Sequence, residues 1–273
     1  MTLFQALILG TVQGLTEFLP ISSSAHLVFT PFLFGWHIPK DEAFLFNVLV
    51  QVATLLGVIA YFRHDLIKII AATFKGIWIR QPFSDPSARL GWQIMIATLP
   101  AGLIGLVLKD YVEKVFDSVA ITAIFLIVTG GLLLTSERIG KHYRLVDDLK
   151  WKDVLLIGLF QAFAIFPGIS RSGATITGGM VRHLDRPSAA RFSFLISVPI
   201  MLAAGLLASL DLGKNPAVLG RLHIFLPGFL AAAVVGYVSI AWLLGFLARR
   251  PLHLFATYCF ALGLIILAIL LLK

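Results

Sequence analysis

Two short segments of this chain carry most of the polar residues that could do chemistry, and both lie inside otherwise apolar stretches. The first is Glu17-Phe18-Leu19-Pro20-Ile21-Ser22-Ser23-Ser24-Ala25-His26. The second is Pro167-Gly168-Ile169-Ser170-Arg171-Ser172-Gly173-Ala174-Thr175. A charge among apolar residues is costly in hydrocarbon and is a functional hypothesis by default, which singles out Glu17 and Arg171. Arginine offers a planar fork that matches phosphate oxygens at two points. A loop of Ser170, Ser172, Gly173 and Thr175, with Ser22 and Ser24 from the other segment, can aim hydroxyls, backbone N–H groups and a helix N-terminus at an anion. Phosphate is therefore the expected ligand. Gln13 and Glu17 stand four apart and share one helical face. One amide and one carboxylate could hold Mg²⁺ or Ca²⁺ weakly, with substrate phosphates completing the shell. Ser23 and His26 supply a hydroxyl and an imidazole, the residue types of nucleophilic and general acid–base catalysis.

Each feature has a plainer reading. Glu17 and Arg171 could be a structural ion pair. Serines satisfy the backbone of broken membrane helices. A polar i, i+4 pair such as Gln13 and Glu17 could be glue between helices, and a lone histidine is often only a hydrogen-bonding residue. The remaining histidines, His37, His64, His142, His183, His223 and His253, fall near the ends of apolar runs or in loops and read as interfacial.

The elements that hold these residues follow from composition and pattern. The chain has 273 residues, of which 59% are hydrophobic and 13% charged, against about 45–50% and about 25% in soluble domains. That balance fits a lipid-embedded protein. The net charge of +8 comes from residues in short loops, with no basic-aromatic stripe, so nucleic acid is not the expected partner. One cysteine, Cys259, excludes disulfide staples and a Cys/His metal cluster. The N-terminus lacks a basic leader region, which argues against a cleaved signal peptide.

Six runs are long enough to cross a bilayer, which takes about 17–25 residues: Ala43–Phe62, Gly91–Leu108, Val119–Ser136, Phe192–Leu210, Ile224–Leu247 and Leu252–Leu272. Leu3–Leu33 and Val154–Met180 are instead broken midway by the two polar segments. Each reads as a re-entrant hairpin of two half-helices, whose tip must be buried or line a wet cavity. A shift of 148 residues pairs Gly10 with Gly158, Gln13 with Gln161, Phe18 with Phe166, Ser22 with Ser170 and Ser24 with Ser172. Pro20 and Pro167 miss that register by one. The expected fold is an all-α polytopic membrane protein in a single domain. It has two inverted repeats, about 1–140 and 150–273, each a hairpin plus three spans, joined through the charged loop Glu137–Asp153. Three spans per half invert the second half, so the hairpins enter from opposite sides and meet near the midplane. One side carries fifteen Lys and Arg residues. The other carries six: Lys40, Lys109, Lys114, Lys214, Arg221 and Lys273. The richer side is expected in the cytoplasm, with both termini outside. Leu66–Ile79 reads as an amphipathic helix on the cytoplasmic surface.

The segments Gln13-Gly14-Leu15-Thr16-Glu17-Phe18-Leu19-Pro20-Ile21-Ser22-Ser23-Ser24 and Pro167–Thr175 resemble the two signature motifs of the undecaprenyl-diphosphate phosphatase (bacitracin-resistance) family, and the resemblance extends over essentially the whole chain. Gln13 and Glu17 fall on the family's Glu/Gln…Glu element, Ser22, Ser23 and His26 on its Ser-Ser…His element, and Ser170, Arg171, Ser172 and Thr175 on its phosphate-binding motif. The resemblance implies a plasma-membrane enzyme of inverted repeats, dependent on a divalent cation and open to the outer face. It would hydrolyse a polyprenyl diphosphate lipid, and so confer bacitracin resistance. A homodimer is compatible with this reading. One departure stands out: Ala25 precedes His26 where the family usually has glycine. A positive φ there would strain alanine by about 1–2 kcal/mol, so Ala25 is expected in an ordinary conformation.

The nucleophile stays open between Ser23, His26 and water; Ser23 assisted by His26 and Glu17 is preferred on serine–base logic. Two rival classes share the fold. Broken hairpins in inverted repeats also build transporters and lipid flippases, and a membrane scaffold would tolerate alanine at the polar tips.

Overall fold

A computed structural model describes residues 1–116, 118–212 and 221–272; Lys214 and Lys273 of the sparser basic side lie outside the described residues. Eleven α-helices are present among them: α1 (Leu3–Phe18), α2 (Ser23–Phe34), α3 (Lys40–Tyr61), α4 (Arg63–Trp78), α5 (Pro86–Phe116), α6 (Val119–Ile139), α7 (Trp151–Phe163), α8 (Arg171–Val181), α9 (Arg186–Leu212), α10 (Leu222–Leu247) and α11 (His253–Leu272). Six helices are long and apolar enough to cross a membrane, and they are the six expected: α3, α5, α6, α9, α10 and α11. They leave many large apolar side chains on the outside, among them Leu103, Leu106, Leu206 and Val238, as lipid-facing helices do.

The other apolar stretches form the pairs α1–α2 and α7–α8. Each breaks because its tip residues favour non-helical backbone and offer caps. Thr2 and Gln5 close a capping box at the start of α1, Ser22 caps α2 through the N–H of Ala25, and Ser170 caps α8 through the N–H of Gly173. Positive φ falls on Ser22 (68°) in the first tip and on Gly168 (97°) in the second. Ala25 lies within α2 in ordinary helical backbone, as expected. Gly168 has a second reason to be glycine: a Cβ there would lie 2.3 Å from the carbonyl oxygen of Thr122.

The hairpins open toward opposite ends of the bundle. At one end the amino group of Met1, before α1, lies 2.5 Å from Glu42 in the first turn of α3, and Arg221, before α10, pairs with the same carboxylate. At the other end of α3, Asp65 pairs with Arg191 of α9. The mouth of the second hairpin belongs to that end: Asp153 of α7 takes Arg144 at 2.7 Å and Arg182 at 2.6 Å, while Arg186 grips Glu137.

Packing repeats between the halves. The first hairpin helix of one half lies on the middle span of the other, α1 on α10 and α7 on α5, and the two third spans, α6 and α11, lie on each other. The α1–α10 crossing is a small-residue contact. A Cβ on Gly10 would lie 2.0 Å from the carbonyl oxygen of Gly228, and one on Gly14 would lie 2.8 Å from that of Ala232. Helix α4 is amphipathic as expected. Ile69 and Gly76 face the bundle, while Ile67, Ile70, Phe74, Ile77 and Trp78 form an exposed stripe flanked by Lys68 and Lys75.

Candidate active site

The two tips meet, and their serines do the joining. Ser24 Oγ accepts the N–H of Gly168 at 3.2 Å, and Ser172 Oγ donates to the carbonyl of Leu19 at 3.0 Å. These serines are one of the pairs related by the 148-residue shift, so each half reaches into the other with the same residue. The local geometry repeats as well: Ser22 and Ser24 hydroxyls are 3.1 Å apart, as are those of Ser170 and Ser172.

Glu17 stands at the centre of this junction. Its Oε1 lies 2.6 Å from Nη2 of Arg171. Its Oε2 accepts from Ser23 Oγ at 2.5 Å and from Gln13 Nε2 at 2.9 Å. The carboxylate therefore collects a guanidinium, a hydroxyl and an amide. It is itself almost wholly buried, with 6% of its side chain exposed, whereas Arg171 keeps 18% and Ser23 is half-buried. The guanidinium and the hydroxyl are thus the groups an incoming molecule can touch. Removing either member of so buried an ion pair would strand the other charge.

The expected phosphate-binding hydroxyls divide by role. Ser22, Ser24, Ser170 and Ser172 are engaged in caps and tip-to-tip bonds. Thr175 Oγ1 donates to the Arg171 carbonyl and lies 2.6 Å from Ser193 Oγ. The N–H of Gly173 is taken by its cap. These groups build the junction and hold Arg171 within it. The amides of Arg171 and Ser172 open the helix and fall outside its own ladder, so the N-terminus of α8 still points donors at this point.

His26 takes a different direction from the one expected. Nδ1 lies 2.7 Å from the Ser22 carbonyl and Nε2 lies 2.7 Å from the Tyr258 hydroxyl of α11. The group on Ser23 is Glu17, not His26. Gln13 lies beside Glu17 as its spacing required, and its Oε1 is buried without a hydrogen-bond partner among the described residues. An unpaired amide oxygen next to a carboxylate is a donor set that suits a hard divalent cation.

Three residues of the junction escaped the sequence. Thr129 of α6 accepts the Ser170 N–H at 3.0 Å and donates to the Gly168 carbonyl at 3.1 Å, so it fixes the second tip from outside. Ser193 meets Thr175, and Tyr258 meets His26. Thr129 had one readable signal, a polar atom midway along an apolar span, and Tyr258 a weaker one, a hydroxyl in the second turn of such a span.

Helices spanning a bilayer and two half-helix pairs closing on a buried acid and a guanidinium define a multi-pass membrane protein with a polar centre. The family described as bacitracin resistance protein BacA matches residues 6–265, and the chain belongs to that family. Relatives include the undecaprenyl-diphosphatase of Myxococcus xanthus (strain DK1622), 43% identical over 270 residues that cover 99% of this chain and 90% of the relative. That of Thermomicrobium roseum (strain ATCC 27502 / DSM 5159 / P-2) is 43% identical, covering 98% of each. That of Methanobrevibacter smithii (strain ATCC 35061 / DSM 861 / OCM 144 / PS) is 40% identical, covering 97% of each.

Proposed function

We propose that this chain hydrolyses undecaprenyl diphosphate to undecaprenyl phosphate and inorganic phosphate, recycling the lipid carrier of peptidoglycan synthesis and so conferring bacitracin resistance. The observation that carries this reading is the convergence of Glu17, Ser23 and Arg171 from opposite hairpins on one point. The names of the relatives supply the substrate. The excess of basic residues around α4, the 138–152 loop and the start of α9 supports a cytoplasmic location for that end. The first hairpin then opens to the outer face of the inner membrane. The repeated packing and the 148-residue register support two inverted repeats.

The lipid tail stays among the spans, in hydrocarbon. The terminal phosphate takes the Arg171 fork and the N-terminal amides of α8. Phosphate competes with Glu17 for the guanidinium, which leaves the carboxylate free to act on Ser23. Ser23 Oγ attacks the terminal phosphorus as its proton passes to Glu17 Oε2, and the bond from phosphorus to the bridging oxygen breaks to release undecaprenyl phosphate. A water then splits the phosphoserine, with His26 as the base. Glu17 and the unpaired Oε1 of Gln13 would hold a divalent cation, Mg²⁺ or Ca²⁺, together with diphosphate oxygens. Such a cation would neutralise charge on the leaving phosphate.

The test is phosphate release by purified protein in detergent from a polyprenyl diphosphate, with and without chelator. Release that stops with chelator and returns with added cation is expected. Transport would need a gradient and would release nothing in detergent, so no phosphate from active, folded protein overturns the reading.

A further inference from the structure

His26 faces away from Ser23, and the manner in which it does so assigns its protons. A carbonyl oxygen can only accept, so the 2.7 Å contact with Ser22 puts the hydrogen on Nδ1. The lone pair of the neutral ring is then on Nε2. The Tyr258 hydroxyl, 2.7 Å away, must donate to it. The two rings lie parallel, 4° apart in plane with centroids separated by 5.6 Å.

Tyr258 is held in that place independently of His26. Its neighbour Cys259 is fully buried, with Sγ 3.7 Å from the Pro20 carbonyl of the first tip, so this turn of α11 is fixed against the hairpin. Core filling does not account for Tyr258, which keeps 41% of its surface exposed. Its hydroxyl covers the only lone pair His26 has, so a proton can reach Nε2 only through that hydroxyl or after its displacement.

We propose that Tyr258 is the residue through which His26 works: its hydroxyl fixes the imidazole tautomer and relays to Nε2 the proton of the water that splits the phosphoserine. The inference rests on the phosphatase reading with Ser23 as nucleophile. In that step the water oxygen bonds to phosphorus as one of its O–H bonds breaks. That proton goes to Tyr258 Oη while the phenol's own proton goes to Nε2, leaving a neutral tyrosine and an imidazolium. The phosphorus–Oγ bond breaks, and Ser23 regains the proton it gave up when it attacked. The imidazolium then releases its proton to solvent through the same hydroxyl.

Tyr258→Phe removes the hydroxyl and keeps the ring beside His26. With a polyprenyl diphosphate in detergent, it is expected to lower kcat about tenfold to a hundredfold, within what one proton-transfer group contributes, and to leave KM within twofold. In a His26→Asn background the same substitution is expected to cost nothing more, because its effect runs through the imidazole. A Tyr258→Phe enzyme as fast as wild type, or losses that multiply in the double variant, would overturn the relay. Wild-type protein that releases no phosphate overturns the phosphatase reading instead, so the two failures are told apart.

Discussion

Arg171 and Glu17 are 154 residues apart in the chain, and Nη2 of one lies 2.6 Å from Oε1 of the other. The contact joins a helix start in the second hairpin to a helix end in the first. A pair in this position could serve the fold, the chemistry or both, and exchange of the two residues separates these. Glu17→Ala and Arg171→Ala should each abolish measurable turnover, a loss of at least about a hundredfold to a thousandfold for one preorganised charge. The exchanged protein, Glu17→Arg with Arg171→Glu, restores an ion pair but puts no base beside Ser23. It should recover thermal stability in detergent without recovering activity. Recovery of both would make the pair purely structural.

Ser23 gives a sharper test because it contributes little to the junction's framework. Its hydroxyl bonds only Glu17 among the described contacts, whereas Ser24 and Ser172 tie the tips together. Ser23→Ala should reduce kcat by about a thousandfold or more, as loss of a nucleophile does, with a melting temperature near that of wild type. Incubation of wild type with terminally labelled lipid diphosphate and an acid quench should leave label on the protein, and Ser23→Ala should remove it. Ser24→Ala, in contrast, strands the Gly168 N–H and should cost about 1–2 kcal/mol of stability.

The α1–α10 crossing sets where Glu17 stands. Gly10→Ala would push a methyl to 2.0 Å from the Gly228 carbonyl oxygen, and backbone on both sides leaves no flexible group to yield. The expected cost is about 1–3 kcal/mol, read as a lowered melting temperature, with turnover falling as the first hairpin is displaced. Gly131→Ala on α6 is the control: among the described residues nothing lies within 4 Å of its added Cβ, so it should leave turnover unchanged and, if anything, raise the melting temperature slightly.

Much of this was legible in the sequence because lipid imposes strict rules on it. The six spans announced themselves by length and apolarity, and the hairpins by polar breaks that no spanning helix tolerates without a buried reason. The 148-residue register matched serines whose hydroxyls turn out to be equally spaced in both tips. Side-chain direction was not legible. Nothing in the order Ser22-Ser23-Ser24-Ala25-His26 says that Ser22 takes positive φ, that Ser23 alone turns to Glu17, or that His26 bends back to the Ser22 carbonyl. Nor could the sequence pair His26 with Tyr258, or Ser170 and Gly168 with Thr129, partners far apart along the chain that one-dimensional patterns do not join. The hydroxyl count near Arg171 suggested a ring of phosphate ligands; in the structure Ser24 and Ser172 join the tips, Ser22 and Ser170 cap helices, and Thr175 bonds Arg171 and Ser193.

Asp153 anchors the mouth of the second hairpin and carries a pH signature. Burial alone would raise its carboxyl. The hydrogen bonds from Arg144, the Lys150 N–H and Arg182 outweigh that and hold it below the usual carboxylate value. A carboxylate lowered in the folded state stabilises fully above its unfolded value, about 3.9, and loses that contribution as pH falls through the lower folded value. Asp153→Asn would leave Arg144 and Arg182 facing each other without a counter-charge. Its cost at pH 7 should be about 3 kcal/mol, the low end for a buried pair because Arg182 is 42% exposed. The gap in melting temperature between wild type and Asp153→Asn should therefore hold constant from pH 7 down to about 5, narrow as pH falls below the unfolded value, and close only below the lower folded value. A gap absent at pH 7, or one that narrows already between about pH 7 and about pH 5, would show that Asp153 does not hold the hairpin as a charged partner of Arg144 and Arg182.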